Sequence, residues 1–210
     1  MAEASEPLRE EHFQDDATRA EVQRLGMWIF LASELLLFGG LFVAYFYYRF
    51  LFPEAWQACV QHMDRLKGSL ETLDLITSSL FAVLGLAFFR RQAPRAAALC
   101  LFVTAALGLG FLALHGLEYA HEIKEGALPA KFYQLDAIRL QGAPIFFALY
   151  FIMTGLHGLH VSVGVCVVAI VGLRAFRRSL KDELPVELGT LYWHLVDVIW
   201  IFLYPLLYLV

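Results

Sequence analysis

An all-α membrane bundle with five transmembrane helices is the fold this sequence predicts. Three observations predict it. Of the 210 residues, 60% are hydrophobic, and mean hydropathy is +0.62, more apolar surface than a water-soluble domain of this length can hide. The apolar residues gather into five runs, each near the ~20 residues that cross the hydrocarbon layer of a bilayer. The runs are also too long and too uniformly apolar to be the alternating strands of a barrel.

The elements follow in chain order. Residues 1–24 carry Glu3, Glu6, Glu10, Glu11, Asp15, Asp16 and Glu21 against Arg9, Arg19 and Arg24. This predicts a solvated acidic tail, and it lacks the basic-then-apolar order of a signal peptide. The membrane domain, residues 25–210, opens with a span over Gly26–Tyr48. Within its run "MWIFLASELLLFGGLFVAYFYY", Met27–Tyr48, Glu34 is the one ionisable carboxylate. A carboxylate deep in lipid costs roughly 2.5–3.5 kcal/mol on insertion scales. Glu34 therefore points to a functional or assembly role, with a plain interhelical hydrogen bond as the alternative. The connection "FPEAWQACVQHMDRLKG" repeats Trp56, Val60, Met63 and Leu66 at helical spacing. It predicts either a short helix lying on the membrane surface or an unstructured loop. Further spans follow at Thr72–Phe89, Ala96–Tyr119, Pro144–Leu173 and Leu191–Val210. The fourth, of about 30 residues, must tilt or protrude.

Loop charges set the orientation. Arg90, Arg91, Arg95, Arg174, Arg177, Arg178, Lys181 and the three tail arginines lie on one side. Arg49, Arg65, Lys67, Lys124, Lys131 and Arg139 lie on the other. Ten against six places the N-terminus in the cytoplasm by the positive-inside rule.

That orientation sorts the polar membrane residues by depth at about 1.5 Å per residue. Glu34, His157, His160, His194 and Asp197 form an inner layer, with Arg174 at the inner end of the fourth span. Asp74, His115, Glu118, Tyr119 and His121 form an outer one. Spacings of three in His115/Glu118/His121, His157/His160 and His194/Asp197 give each helix one polar stripe facing protein. Gly158, Ser162 and Cys166, four apart, predict a close helix–helix approach.

Glu118–His121 has the Glu-x-x-His form of di-iron bundles, but in a single copy. His160 and His194 are the pair that would ligate a haem. Cys59, Cys100 and Cys166 form no CxxC pair, which excludes a thiolate copper site. Cys100 and Cys166 read as small packing residues. The expectation is that this chain binds no metal and no redox cofactor.

Five stretches then carry a resemblance: "LGMWIFLASELLLF" (Leu25–Phe38), "ETLDLITSS" (Glu71–Ser79), "FLALHGLEYAHE" (Phe111–Glu122), "TGLHGLHVSVG" (Thr154–Gly164) and "YWHLVDVIWIFLYPLLYL" (Tyr192–Leu209). In that order, one per span, they resemble subunit III of haem–copper terminal oxidases in its bacterial five-helix form. The resemblance covers nearly all of the membrane part but not the acidic tail. It implies a non-catalytic subunit that packs on subunit I, holds structural phospholipids and supports proton uptake and complex stability. Haem and copper would belong to the partner subunits I and II. It implies a multi-pass protein of the bacterial inner membrane, with other respiratory subunits as partners and no nucleic acid. Glu34, Glu118, Tyr119, His157, His160, His194 and Asp197 match polar positions of that family, and Arg174 matches an arginine at the lipid headgroups. Glu71 stands where an Asn is common, and His115 where a Gln is. Seven-helix members begin with two helices that have no match here, and Pro205 adds a kink to the last span.

Two alternatives stay open. One keeps the family but pairs the chain with a nitric oxide reductase. The other is a proton-coupled transporter using the buried carboxylate and histidines, which the lack of an inverted repeat disfavours.

Overall fold

The computed structural model describes residues 6–129, 132–135, 137–180 and 182–209, with side chains from Thr18 onward. Lys131, Lys181, Val210 and the tail charges up to Asp16 lie outside the described side chains. The described residues form six α-helices and a closing π-helical turn, with no strand among them.

Helix α1 spans Glu6–Leu51. Part of the acidic segment is therefore helical. The reason is local: Pro7 sits in the first turn, where its missing N–H costs nothing, and no further Pro or Gly intervenes before Gly26. The chain forms two compact units that divide inside α1, between Leu37 and Phe38. The second unit is the bundle.

Helix α2, Pro53–His62, starts on a proline and buries Ala55, Trp56, Cys59 and Val60. The Trp56 ring meets Tyr45 and Phe146 edge-on at 5.7 and 5.5 Å. The segment is thus a helix rather than an unstructured loop, and the apolar residues of α2 face protein. Leu66, the last residue of the expected stripe, belongs to the next helix and is exposed.

Helix α3 spans Arg65–Arg90 and begins at Asp64, whose Oδ1 accepts the Leu66 and Lys67 N–H groups at 3.0 and 3.3 Å. Helix α4, Pro94–Glu125, ends at Gly126, held at φ 89°, where its N–H reaches the carbonyls of Glu122 and Ile123. Helix α5 is Ala143–Phe176, long enough for the expected protrusion. Helix α6, Leu184–Tyr204, gives way at Pro205 to a π-helical turn over Pro205–Leu209. Proline withholds the N–H that the α-ladder needs next.

Helices α3, α4, α5 and α6 pack in a ring, each against two neighbours, and α2 packs on α5 and the π-turn. The tightest point holds Trp193 of α6. A Cβ added at Gly108 of α4 would stand 2.4 Å from its Cη2, and one at Gly164 of α5 would stand 2.9 Å from its Cε3. The indole N–H donates to Ser78 Oγ at 2.9 Å. This corrects the Gly158/Ser162/Cys166 expectation, since Cys166 is exposed while Cys100 is buried as expected. Glycines opposite a large ring set the close approach, and helical spacing alone does not name the ring. Outside, Leu36, Leu99, Leu117 and Leu159 stand exposed, as a surface solvated by lipid requires.

Candidate functional site

The bundle end that carries α2 concentrates the buried ionisable groups. Glu71 lies in the second turn of α3. His115 and Glu118, three apart, share one face of α4. Their relative exposures are 0%, 5% and 1%. His115 Nδ1 stands 3.4 Å from Glu71 Oε1 and 3.9 Å from Glu118 Oε2. The π-turn brings back Tyr208, whose hydroxyl donates to Glu118 Oε1 and Oε2 at 2.9 and 3.0 Å.

Aromatic rings seal this cluster. His115 stacks on Phe111 with the planes 6° apart and meets Trp200 edge-on. On its other side Trp200 stacks with His157, centroids 5.1 Å apart, and its indole N–H donates to Thr72 Oγ1 at 3.1 Å. Tyr119 bonds Thr154 Oγ1 at 2.5 Å, and Thr154 donates to the Tyr150 carbonyl at 2.7 Å. The Tyr119–Thr154 bond ties α4 to α5.

A more open group lies just beyond, at the helix ends. His62 Nε2 of α2 stands 3.6 Å from Glu122 Oε2 and 3.2 Å from Glu125 Oε2, and His121 Nε2 is 3.3 Å from Glu125 Oε1. Interaction with the Glu122 carboxylate raises the His62 pKa above its ordinary value against the opposing effect of partial burial, and Glu125 adds to the rise. Burial pushes the nearby Cys59 thiol up to about 12, which keeps it a neutral packing group.

The remaining sequence-predicted residues sort as follows. Glu34 is half-buried on α1. Asp74 rests against Gly110, where an added Cβ would meet its Oδ2 at 3.6 Å. Arg174 is exposed in the last turn of α5. His194 Nδ1 bonds Ser79 Oγ at 2.6 Å, one turn from the buried Asp197.

Three expectations need correction. His121 leaves the stripe of His115 and Glu118 and is about half exposed, at 52%, because two steps of three residues rotate the direction by about 120° on a 3.6-residue helix. His157 and His160 do not act as one face. His157 is fully buried between Phe111 and Trp200, whereas His160 turns Nδ1 to the Leu156 carbonyl at 2.7 Å and meets Phe38 edge-on. His157 thereby joins the residues around His115, and the division into two layers fails there. Glu71, Glu122, Tyr208 and Ser79 complete the clusters without having been singled out as site residues. The signal for Glu71 was available: it is an acid in the turn before the second span, three residues ahead of Asp74.

Chemically, the buried cluster offers two carboxylates, an imidazole and a phenol, shut off from solvent. That set can hold a proton or a cation.

Comparison with known proteins adds a family. The chain matches the family model for cytochrome c oxidase subunit III over residues 7–210. It is similar to a cytochrome c oxidase subunit 3 of Thermostichus vulcanus, with 34% identity over 88% of this chain and 86% of that one. It is similar to a probable quinol oxidase subunit 3 of Staphylococcus epidermidis, with 30% identity over 90% of each chain. A cytochrome c oxidase subunit 3 of Synechocystis is 31% identical over 90% of this chain and 76% of its own length.

Proposed function

Because the chain belongs to the cytochrome c oxidase subunit III family, we propose that it is the non-catalytic third subunit of a respiratory haem–copper oxidase of a bacterial inner membrane. It is a multi-pass membrane protein with five helices long and apolar enough to cross a bilayer. In this reading it packs on the catalytic subunit, leaves haem and copper to its partners, and supports proton uptake and the durability of the complex. The observation that carries the reading is the extent of the family match, which runs unbroken through all five spans.

Phospholipid binding belongs to the same proposal. Arg49 and Arg65 flank a cleft of about 620 Å³ whose walls include Phe46, Phe50, Trp56 and Leu209. Two guanidinium groups above aromatic and aliphatic walls suit an anionic headgroup with its acyl chains. Arg174 supplies a further, exposed cation at the end of α5. Glu34 is assigned to proton delivery or to the interface with the catalytic subunit.

The test is affinity purification of the full chain from its native membrane in mild detergent, with mass spectrometry and an optical spectrum. The expected result is a co-purifying haem-bearing oxidase subunit, with the Soret band lost when that partner is stripped away. Recovery of a nitric oxide reductase subunit instead, or haem retained by the stripped chain, overturns the assignment.

A further inference from the structure

Glu71, His115 and Glu118 pose a problem of charge. All three are buried, and their ligand atoms lie within 4.8 Å of one another. Both carboxylate oxygens of Glu71 and both ring nitrogens of His115 lack a hydrogen-bond partner. Glu118 receives the Tyr208 hydroxyl, a neutral donor that supplies no charge. Among the described residues, no lysine or arginine forms an ion pair with any of the three. Two carboxylates and an imidazole with unmet lone pairs in a sealed site are costly unless something cationic completes them.

We propose that Glu71, His115 and Glu118 bind one divalent first-row transition-metal ion, zinc being the ion their donors suit best. The spacing supports this directly. Two ligand atoms about 2.1 Å from a tetrahedral zinc stand about 3.4 Å apart. His115 Nδ1 lies 3.4 Å from Glu71 Oε1 and 3.9 Å from Glu118 Oε2, and all three ligand atoms lie within 4.8 Å of one another, so seating an ion draws the carboxylates inward. The charges balance, since two carboxylates neutralise the ion. One imidazole with two carboxylates is a borderline donor set. Calcium demands more oxygen ligands than the cluster presents, magnesium takes oxygen donors rather than an imidazole, and cuprous ion demands sulfur. Three protein ligands leave a fourth position for water.

The surroundings are those of a supported site. Tyr208 holds Glu118 in place from the π-turn, and Phe111 and Trp200 fix the plane of His115. The ion would join α3 to α4 and, through Tyr208, to the end of α6. Its role would be structural. The inference concerns this chain's own side chains and stands whichever enzyme the chain assembles with.

The experiment uses the full chain purified with its assembled partners, without chelators. Wild type and the double variant Glu71→Gln/His115→Gln are dialysed against zinc, desalted and analysed by mass spectrometry for metal content. The expected result is about one zinc per chain more in wild type than in the variant. Equal zinc in the two overturns the proposal. Should the variant fail to assemble, anomalous diffraction at the zinc edge on wild-type crystals decides the matter without it. A peak bounded by Glu71, His115 and Glu118 supports the site, and a zinc-loaded crystal with no peak there refutes it.

Discussion

Replacing Gly108 with alanine tests the packing of the whole bundle through one methyl group. The new Cβ would stand 2.4 Å from Trp193 Cη2 and 2.7 Å from Val165 Cγ2. Carbon atoms sit comfortably at about 3.5–4.0 Å, so the neighbours must withdraw by about 1 Å. Trp193 has nowhere to go, because its N–H is bonded to Ser78 and its opposite edge lies on Gly164. Overpacking of this kind costs about 1–3 kcal/mol. Alanine returns up to about 1 kcal/mol through its better helix propensity. The clash wins, leaving a net loss of about 1–2 kcal/mol, or roughly a tenfold rise in the unfolding constant. Gly116→Ala is the internal control on the same helix, since no atom lies within 4 Å of its added Cβ, and it should be neutral or slightly stabilising. Unfolding by sodium dodecyl sulfate in mixed micelles, followed by circular dichroism, reads both. If Gly108→Ala is no less stable than Gly116→Ala, the account of Trp193 as the point of closest approach is wrong.

Three further outcomes follow from particular contacts. Ser78→Ala strands the buried indole N–H of Trp193 and should cost about 1–3 kcal/mol in the same unfolding assay, whereas an unchanged midpoint would mean the hydrogen bond contributes nothing. His62 has its pKa raised in the folded protein by Glu122 and Glu125, so its contribution is complete below the unfolded value of about 6.5 and is lost as pH rises through the folded value. The melting temperature should therefore fall across that range in the parent and fall less in His62→Gln, and parallel pH profiles would refute the coupling. Glu34→Gln should insert normally but alter the stability or the pH–activity profile of the assembled oxidase; a complex that ages and titrates like the parent removes any special role for that acid.

Much of the fold was legible in the sequence, and the site was legible only in part. The five spans were evident because hydropathy is a transfer energy that adds up along a local window, and no neighbour has to be known to sum it. Their ends were underestimated: α3 begins at Arg65 and α4 runs to Glu125, because a helix continues into polar residues once a cap such as Asp64 or Gly126 sets its limit. The spacing of His115 and Glu118 correctly put them on one face. It failed for His121, six residues from His115 and so turned about 120° away, and for His157 and His160, whose spacing equals that of His115 and Glu118 but whose neighbours differ: His157 packs on Phe111 and Trp200, and His160 turns to the Leu156 carbonyl and Phe38.

What the sequence by itself determined is that the chain enters lipid five times and which ionisable groups go in with it, since both follow from the composition of single segments. What only the tertiary structure decided is which of those groups meet. Glu71 reaches His115 and Glu118 because α3 and α4 pack side by side. Tyr208 reaches Glu118 from the π-helical turn that follows Tyr204. The direction a polar side chain faces depends on helix rotation, and rotation is set by how large rings such as Trp193 and Trp200 fit against their neighbours.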